Sequence, residues 1–343
     1  MVRRALALAC AALVAAPPIG AHAQVESREI RVGMRDAPVL RLTEVVRLGS
    51  LEGPNDAFGR VMDVALDSQG RVLVADDLNH HVAVFEANGR FVGRVGRRGA
   101  GPGELESPWK VAVDARDSIF VWDMAHARIS VFGPDLVFGR SFRVPSQWSV
   151  GSIGFLPDGR LLLAAYGPHT DGTLHVLDRD GHVETTFGPT FTAPDLAGFE
   201  SSLLGGTVAM LDRGWVYSVR SPYELWFFDP DGSARLRCVG QPDWTTRPAA
   251  VVERREGGAA LHWTRYMHSY NVVPVADGLV LNLVLDPAGD RAVMDLVSPD
   301  CTLLRRTTVP IPVTITAASG TRLAAVRNLE YPEVVVYDQR VER

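Results

Sequence analysis

Lysine is all but missing from this chain. Among its 35 lysine and arginine residues, only Lys110 is a lysine, and the arginines are scattered rather than gathered on one stretch. Nucleic-acid binding needs a basic face, so no nucleic-acid partner is expected. Long hydrophobic runs are missing too: no stretch reaches the ~18 apolar residues of a membrane span. Catalytic signatures are equally scarce. There is no G-x-S-x-G, no visible Ser-His-Asp arrangement and no C-x-x-C-H. Gly99-Ala100-Gly101-Pro102-Gly103 lacks the Lys-Ser/Thr and the helix start of a phosphate loop.

Cysteine is rare, with 3 in the chain. Cys10 lies inside a short apolar run, 5–16, that follows Arg3 and Arg4 and precedes Ala21-His22-Ala23. Charged start, apolar centre and small-x-small end read as a secretory signal over 1–23. The expectation is an exported protein, periplasmic or extracellular, without a membrane span. Cys10 is too early for a lipoprotein-type cysteine. Cys238 and Cys301 remain after cleavage. An oxidising compartment would let them pair, but two half-buried free cysteines is the reading favoured here.

What the chain does have is a recurring unit. Residues 94–132 read RVGRRGAGPGELESPWKVAVDARDSIFVWDMAHARISVF. The apolar run Val111-Ala112-Val113-Asp114 leads through a polar turn to Ile119-Phe120-Val121-Trp122-Asp123. A short link then gives Arg128-Ile129-Ser130-Val131-Phe132. Short β-rich runs bounded by turn residues predict strands, and a fixed repeat dictates architecture. The preceding copy carries Val64-Ala65-Leu66-Asp67, Val72-Leu73-Val74-Ala75-Asp76 and Val82-Ala83-Val84-Phe85. With G-x-G-P-G-E-L-x-x-P, V-A-V-D, I-F-V-W-D and R-I-S-V-F in hand, the chain resembles the NHL repeat. That resemblance implies a six-bladed β-propeller of the exported bacterial NHL/TolB-like type. Such propellers serve as enzymes, binding platforms and scaffolds, so it does not fix the activity.

Six units follow, at 59–96, 108–142, 151–187, 207–239, 271–306 and 311–338. Turns such as Pro157-Asp158-Gly159, Pro230-Asp231-Gly232 and Asp277-Gly278 suit tight hairpins. Inner strands are apolar on consecutive residues, as expected for sheets covered on both faces. The sixth unit has only three strands of its own, so 41–49 is predicted to close the ring by pairing in the last blade. Residues 24–40 read as a tether. Two long links, 188–206 and 241–270, are expected to overhang one mouth of the channel, and the second holds a helix-like segment over 248–255.

Candidate sites sit on that face. Asp76 and Asp123 fall at equivalent places, which argues for carboxylates accepting loop N–H groups. Asn79 and His81 align with His126 and Arg128 and read as structural too. The expected ligand or partner surface is Trp263, Arg265, Tyr266, His268, Tyr270, Tyr223 and Arg128, because Tyr, Trp and Arg are enriched at binding hot spots. This predicts a non-catalytic, monomeric binding or scaffold propeller with no cofactor that recognises a small-molecule ligand or protein partner at its loop-rich mouth. The alternative, implied by resemblance to enzymatic propellers, is a metal-dependent lyase or lactonase. Its one divalent ion, zinc or calcium, would be held by His80, His126, His169, His262 and His268, or by Asp286, Asn282 and Asn328.

Overall fold

The computed structural model describes residues 25–33, 37–145, 147–167, 171–190, 205–241, 250–255, 258–263, 268–285, 291–310, 313–328 and 330–342. It is an all-β six-bladed propeller. Blade 1 runs from its inner strand Val61–Leu66 to its outer strand Phe91–Val95. Blade 2 runs from Pro108–Val113 to Phe138–Arg143, and blade 3 from Ser149–Phe155 to Val183–Phe187. Blade 4 spans Gly206–Met210 to Ala234–Val239, and blade 5 spans His268–Pro274 to Thr302–Pro310. Blade 6 is Val313–Ser319, Arg322–Asn328 and Pro332–Glu342, completed by Val39–Leu48. That last pair is antiparallel, with Val334 opposite Leu48 and Glu342 opposite Val39. The two ends of the chain thus zip into one sheet, which removes an open edge where the ring closes.

The core is divided into six apolar clusters, one in each seam between neighbouring blades. The seam between blades 6 and 1 joins Val46, Val334 and Val336 to Val61, Val72 and Phe85. The seam between blades 1 and 2 joins Leu73 and Val84 to Val111, Ile119 and Val121. Because each blade is sandwiched, both faces of its second strand are covered. Val72–Asp76, Ile119–Asp123 and Trp215–Val219 are buried at every residue. This is why these strands are apolar without alternation. The tight turns behave as their sequences require, with Asp277 and Gly278 at φ 63° and 71°.

Three sequence expectations need revision. The segment 24–40 carries two short strands rather than a plain tether. Glu26–Glu29 adds parallel to the outer strand of blade 4, and Arg31–Val32 adds parallel to that of blade 5. Ile30, between them, is fully buried in the seam of blades 4 and 5. In the same seam Cys238 and Cys301 form a disulfide, with Cα atoms 5.3 Å apart. The unpaired reading is therefore wrong: the strap of 26–32 runs alongside both outer strands at the disulfide, with Arg28 opposite Cys238 and the Arg31 N–H on the Cys301 carbonyl. Finally, the helix-like segment is a strand. Ala250–Arg255 pairs antiparallel with Gly258–Trp263, Ala250 opposite Trp263. The β-branched pair Val251-Val252 and the Gly257-Gly258 step favour a hairpin over a helix.

Candidate functional site at the propeller axis

The six inner strands surround an axial cavity of about 190 Å³. Five of them carry a register shift at the same place. The shifts fall between Val61 and Asp63, Pro108 and Lys110, Val150 and Ser152, Ser269 and Asn271, and Ile315 and Ala317. A bulge re-aims the residue that follows it. Asp63, Lys110, Ser152, Asn271 and Ala317 consequently stand at one level and all line the cavity. Blade 4 has no bulge, and Thr207 takes the same place on its strand.

This ring also ties neighbouring blades together. Asp63 Oδ2 accepts the Val111 N–H at 3.1 Å, from blade 1 to blade 2. Ser152 Oγ accepts the Val208 N–H at 2.8 Å, from blade 3 to blade 4. Thr207 Oγ1 accepts the Val272 N–H at 3.1 Å, from blade 4 to blade 5. Asp63, Ser152 and Thr207 are therefore held by backbone N–H groups, as a preorganised site requires. Burial pushes the Asp63 carboxyl above its ordinary pKa, against the opposing pull of the Lys110 ammonium and the N–H groups of Val111 and Val64. The chain's only lysine thus stands on the inner strand next to that of a carboxyl whose pKa burial raises. Sequence reasoning missed this pair. The available signal was a charge in the same slot of two apolar inner strands, Met62-Asp63-Val64-Ala65 and Trp109-Lys110-Val111-Ala112.

The loop residues behave differently. Asp76 is fully buried and accepts the N–H groups of Gly59 at 2.9 Å and Arg60 at 3.0 Å. Asp123 repeats the arrangement on Glu106 at 3.1 Å and Ser107 at 3.0 Å. Each fastens the incoming link to the end of the second strand, as the repeated aspartate implied. Asn79 Nδ2 donates to Asp76 at 2.7 Å, and His126 Nδ1 donates to Asp123 at 2.6 Å. His81 Nδ1 donates to the Asn79 carbonyl at 2.8 Å.

Two residues expected on the binding surface are occupied elsewhere. Arg128 spreads its guanidinium over the glycine-rich loop and donates to the carbonyls of Ala100, Gly101 and Glu104. Tyr223 is fully buried, and its hydroxyl donates to Asp295 at 2.9 Å, to which Arg306 also donates through Nε and Nη2, each at 2.7 Å. Burial and the Asp295 charge raise its pKa well above the ordinary value. Tyr270 is 48 % exposed. Arg265 and Tyr266 lie outside the described residues, as do the side chains of Trp263 and His268.

The proposed metal ligands do not come together among the described residues. His80 Nδ1 donates to the Glu106 carbonyl at 2.6 Å, while His126 is held on Asp123. His169, Asp286 and the His262 side chain lie outside the described residues. Asn282 is fully buried, accepting from Ser218 Oγ at 2.9 Å and donating to Ser269 Oγ at 3.0 Å. Asn328 is exposed at the end of its strand. Among the described residues, Asp178, Asp180 and His182 are the group close enough to share an ion. They form an outer turn of blade 3, and Asp178 already accepts the N–H groups of Asp180 and His182.

Comparison with known proteins agrees with this architecture. Residues 50–148 match the family DUF5128, described as a 6-bladed beta-propeller. No curated protein matches the sequence. A member of the duf4221 family from Bacteroides vulgatus superposes with a TM-score of 0.62 at 11% identity, covering 89% of this chain and 99% of its own. A Bacteroides fragilis protein described as exported gives 0.57 at 13% identity, over 93% of this chain and 100% of its own. A Xanthomonas campestris gluconolactonase gives 0.52 at 13% identity, over 94% of this chain and 99% of its own. At these identities the likeness is one of fold.

Proposed function

We propose that this six-bladed propeller is an exported binding protein that holds a small polar ligand, or a polar group of a partner, at its axis. The observation that carries the reading is the ring of Asp63, Lys110, Ser152 and Asn271 around one cavity. It offers an anionic group, a cation and two neutral hydrogen-bonding groups within a frame fixed by backbone contacts. A few placed polar groups in a concave site are what ligand recognition requires. The leader-like 1–23 supports export. Chain direction brings the links between described blades out on one face of the ring. Trp263, Arg265, Tyr266, His268 and Tyr270 would extend recognition beyond the ring.

Native mass spectrometry of the exported protein tests this reading. The wild type is expected to retain a non-covalent mass that Lys110→Met and Ala317→Phe both lose. Alanine at Trp263, Arg265 and Tyr266 together is expected to weaken retention with thermal stability nearly unchanged. Retention of the same mass by Lys110→Met and Ala317→Phe would refute an axial site. The metal-dependent alternative predicts one divalent ion per chain by elemental analysis.

A further inference from the structure

Blades 2 and 3 part on the hairpin face, opposite the inter-blade links, into a cleft of about 640 Å³. The preceding seam is bridged on this face by two side chains that have no counterpart between blades 2 and 3. Between blades 1 and 2, Asp117 reaches back to accept the Ser68 N–H at 3.0 Å and the Ser68 hydroxyl at 2.8 Å. Arg71 reaches forward and donates to the Pro134 carbonyl at 2.9 Å. By position in the turn, Asp117 corresponds to Gly159 in blade 3, and Arg71 corresponds to Ser118 in blade 2. Glycine has no side chain to bridge with, and serine is too short to repeat the arginine contact.

The opening is chemically two-sided. Its walls are apolar, from Phe120, Val131, Ile153, Phe155 and Met210. Phe120 and Phe155 meet edge to face, with centroids 4.8 Å apart. Its rim carries Arg116, Arg140 and Arg179, all exposed. Arg140 donates to the Arg179 carbonyl, which fixes the blade 3 turn beside it. The two rim carboxylates are committed: Asp114 accepts the N–H groups of Arg116 and Ser118, and Asp158 is paired with Arg160. Neither Arg116 nor Arg179 has an ion-pair partner among the described residues.

We propose that this cleft binds a small amphipathic organic anion, its apolar body between blades 2 and 3 and its carboxylate on Arg116 and Arg179. A volume of several hundred Å³ with apolar walls and few charged groups is typical of small-molecule sites. Guanidinium groups are the side chains best matched to a carboxylate. The cleft adjoins the axial cavity, sharing Ala112, Ile153 and Met210 with it, but neither Arg116 nor Arg179 lines the axial cavity.

Calorimetric titration with decanoate tests it, with decanol and decyltrimethylammonium as the neutral and cationic controls of equal chain length. Decanoate is expected to bind one-to-one, with both controls weaker by roughly tenfold or more. The Arg116→Ala/Arg179→Ala double variant, altered only at exposed side chains, is expected to lose roughly tenfold to a hundredfold in affinity. Gly159→Asp places a carboxylate at the rim, and Asp117 shows that the turn accepts aspartate at φ 60°. Nothing lies within 4 Å of a Cβ built at Gly159, so this variant is expected to fold and to weaken decanoate, by its charge and by the same reach across the seam that Asp117 makes. No binding by the wild type, equal binding of decanol, or undiminished binding by the double arginine variant would each overturn the proposal.

Discussion

Lys110 and Asp63 stand on the adjacent inner strands of blades 2 and 1, both lining the axial cavity, and the Lys110 ammonium opposes the burial that raises the Asp63 pKa. Burial wins, so the folded state holds an ionised Asp63 less well than the unfolded chain does. The penalty is absent at acid pH, where the carboxyl is protonated in both states. It sets in as pH rises through the unfolded pKa and is fully present above the folded one. Asp63→Asn keeps an acceptor for the Val111 N–H. It is expected to raise the melting temperature near neutral pH, with the gain disappearing toward pH 3. A melting series over that range checks both parts.

His175 works in the opposite sense. It is fully buried, stacked on Trp148 at 3.9 Å, with its ring nitrogens engaged by the Ala165 carbonyl and the Thr186 hydroxyl. Burial lowers its pKa from 6.5 to about 4. A histidine kept neutral by the fold contributes stability above the unfolded pKa that is lost as pH falls toward the folded one. That window is about pH 6.5 to 4, and a depression of this size is worth up to about 3 kcal/mol. Denaturant titrations should show stability falling across the window, and His175→Gln should flatten that slope.

The bond between Cys238 and Cys301 closes a loop with a sequence separation of 63. Cys301→Ser is expected to cost about 2–4 kcal/mol of unfolding free energy, since a cross-link of this span limits the unfolded chain. Reductant should bring the wild type to the same value. A variant indistinguishable from the oxidised wild type would show that the bond does not hold blades 4 and 5.

Ile30 supplies the other half of that fastening. Ile30→Ala empties a fully buried site in the seam of blades 4 and 5 and is expected to cost about 2–4 kcal/mol. Hydrogen exchange should rise first along Ala234–Val239 and Thr302–Pro310, the strands the strap covers.

The blades were legible because each repeat carries its own local instructions. V-A-V-D and Asp-Gly turns fix strand ends, and the sandwiching of every sheet explains the unalternating Val72–Asp76. Ring closure followed from a sixth unit that lacked a fourth strand. The axial pair was not legible, because a bulge is a relation between two strands: Asp63 faces the axis only once its register with Ala75 is known. The disulfide escaped for a similar reason, since which outer-strand residues of two blades meet is a relation between sheets that the repeat pattern does not state. Arg128 and Tyr223 looked like surface hot spots by residue type. Their side chains fold back onto the Ala100–Glu104 carbonyls and onto Asp295, and composition does not reveal that direction.

The single lysine makes the axial site directly measurable. Reductive methylation with carbon-13 formaldehyde places one side-chain reporter in the molecule, on Lys110, distinct in shift from the labelled N-terminus. Small polar compounds extracted from the producing cells can then be titrated while that resonance is followed. An axial binding site predicts a saturable shift of the Lys110 signal in the wild type and none in Ala317→Phe. A resonance that stays fixed with every fraction, or that shifts equally in the filled variant, would contradict it.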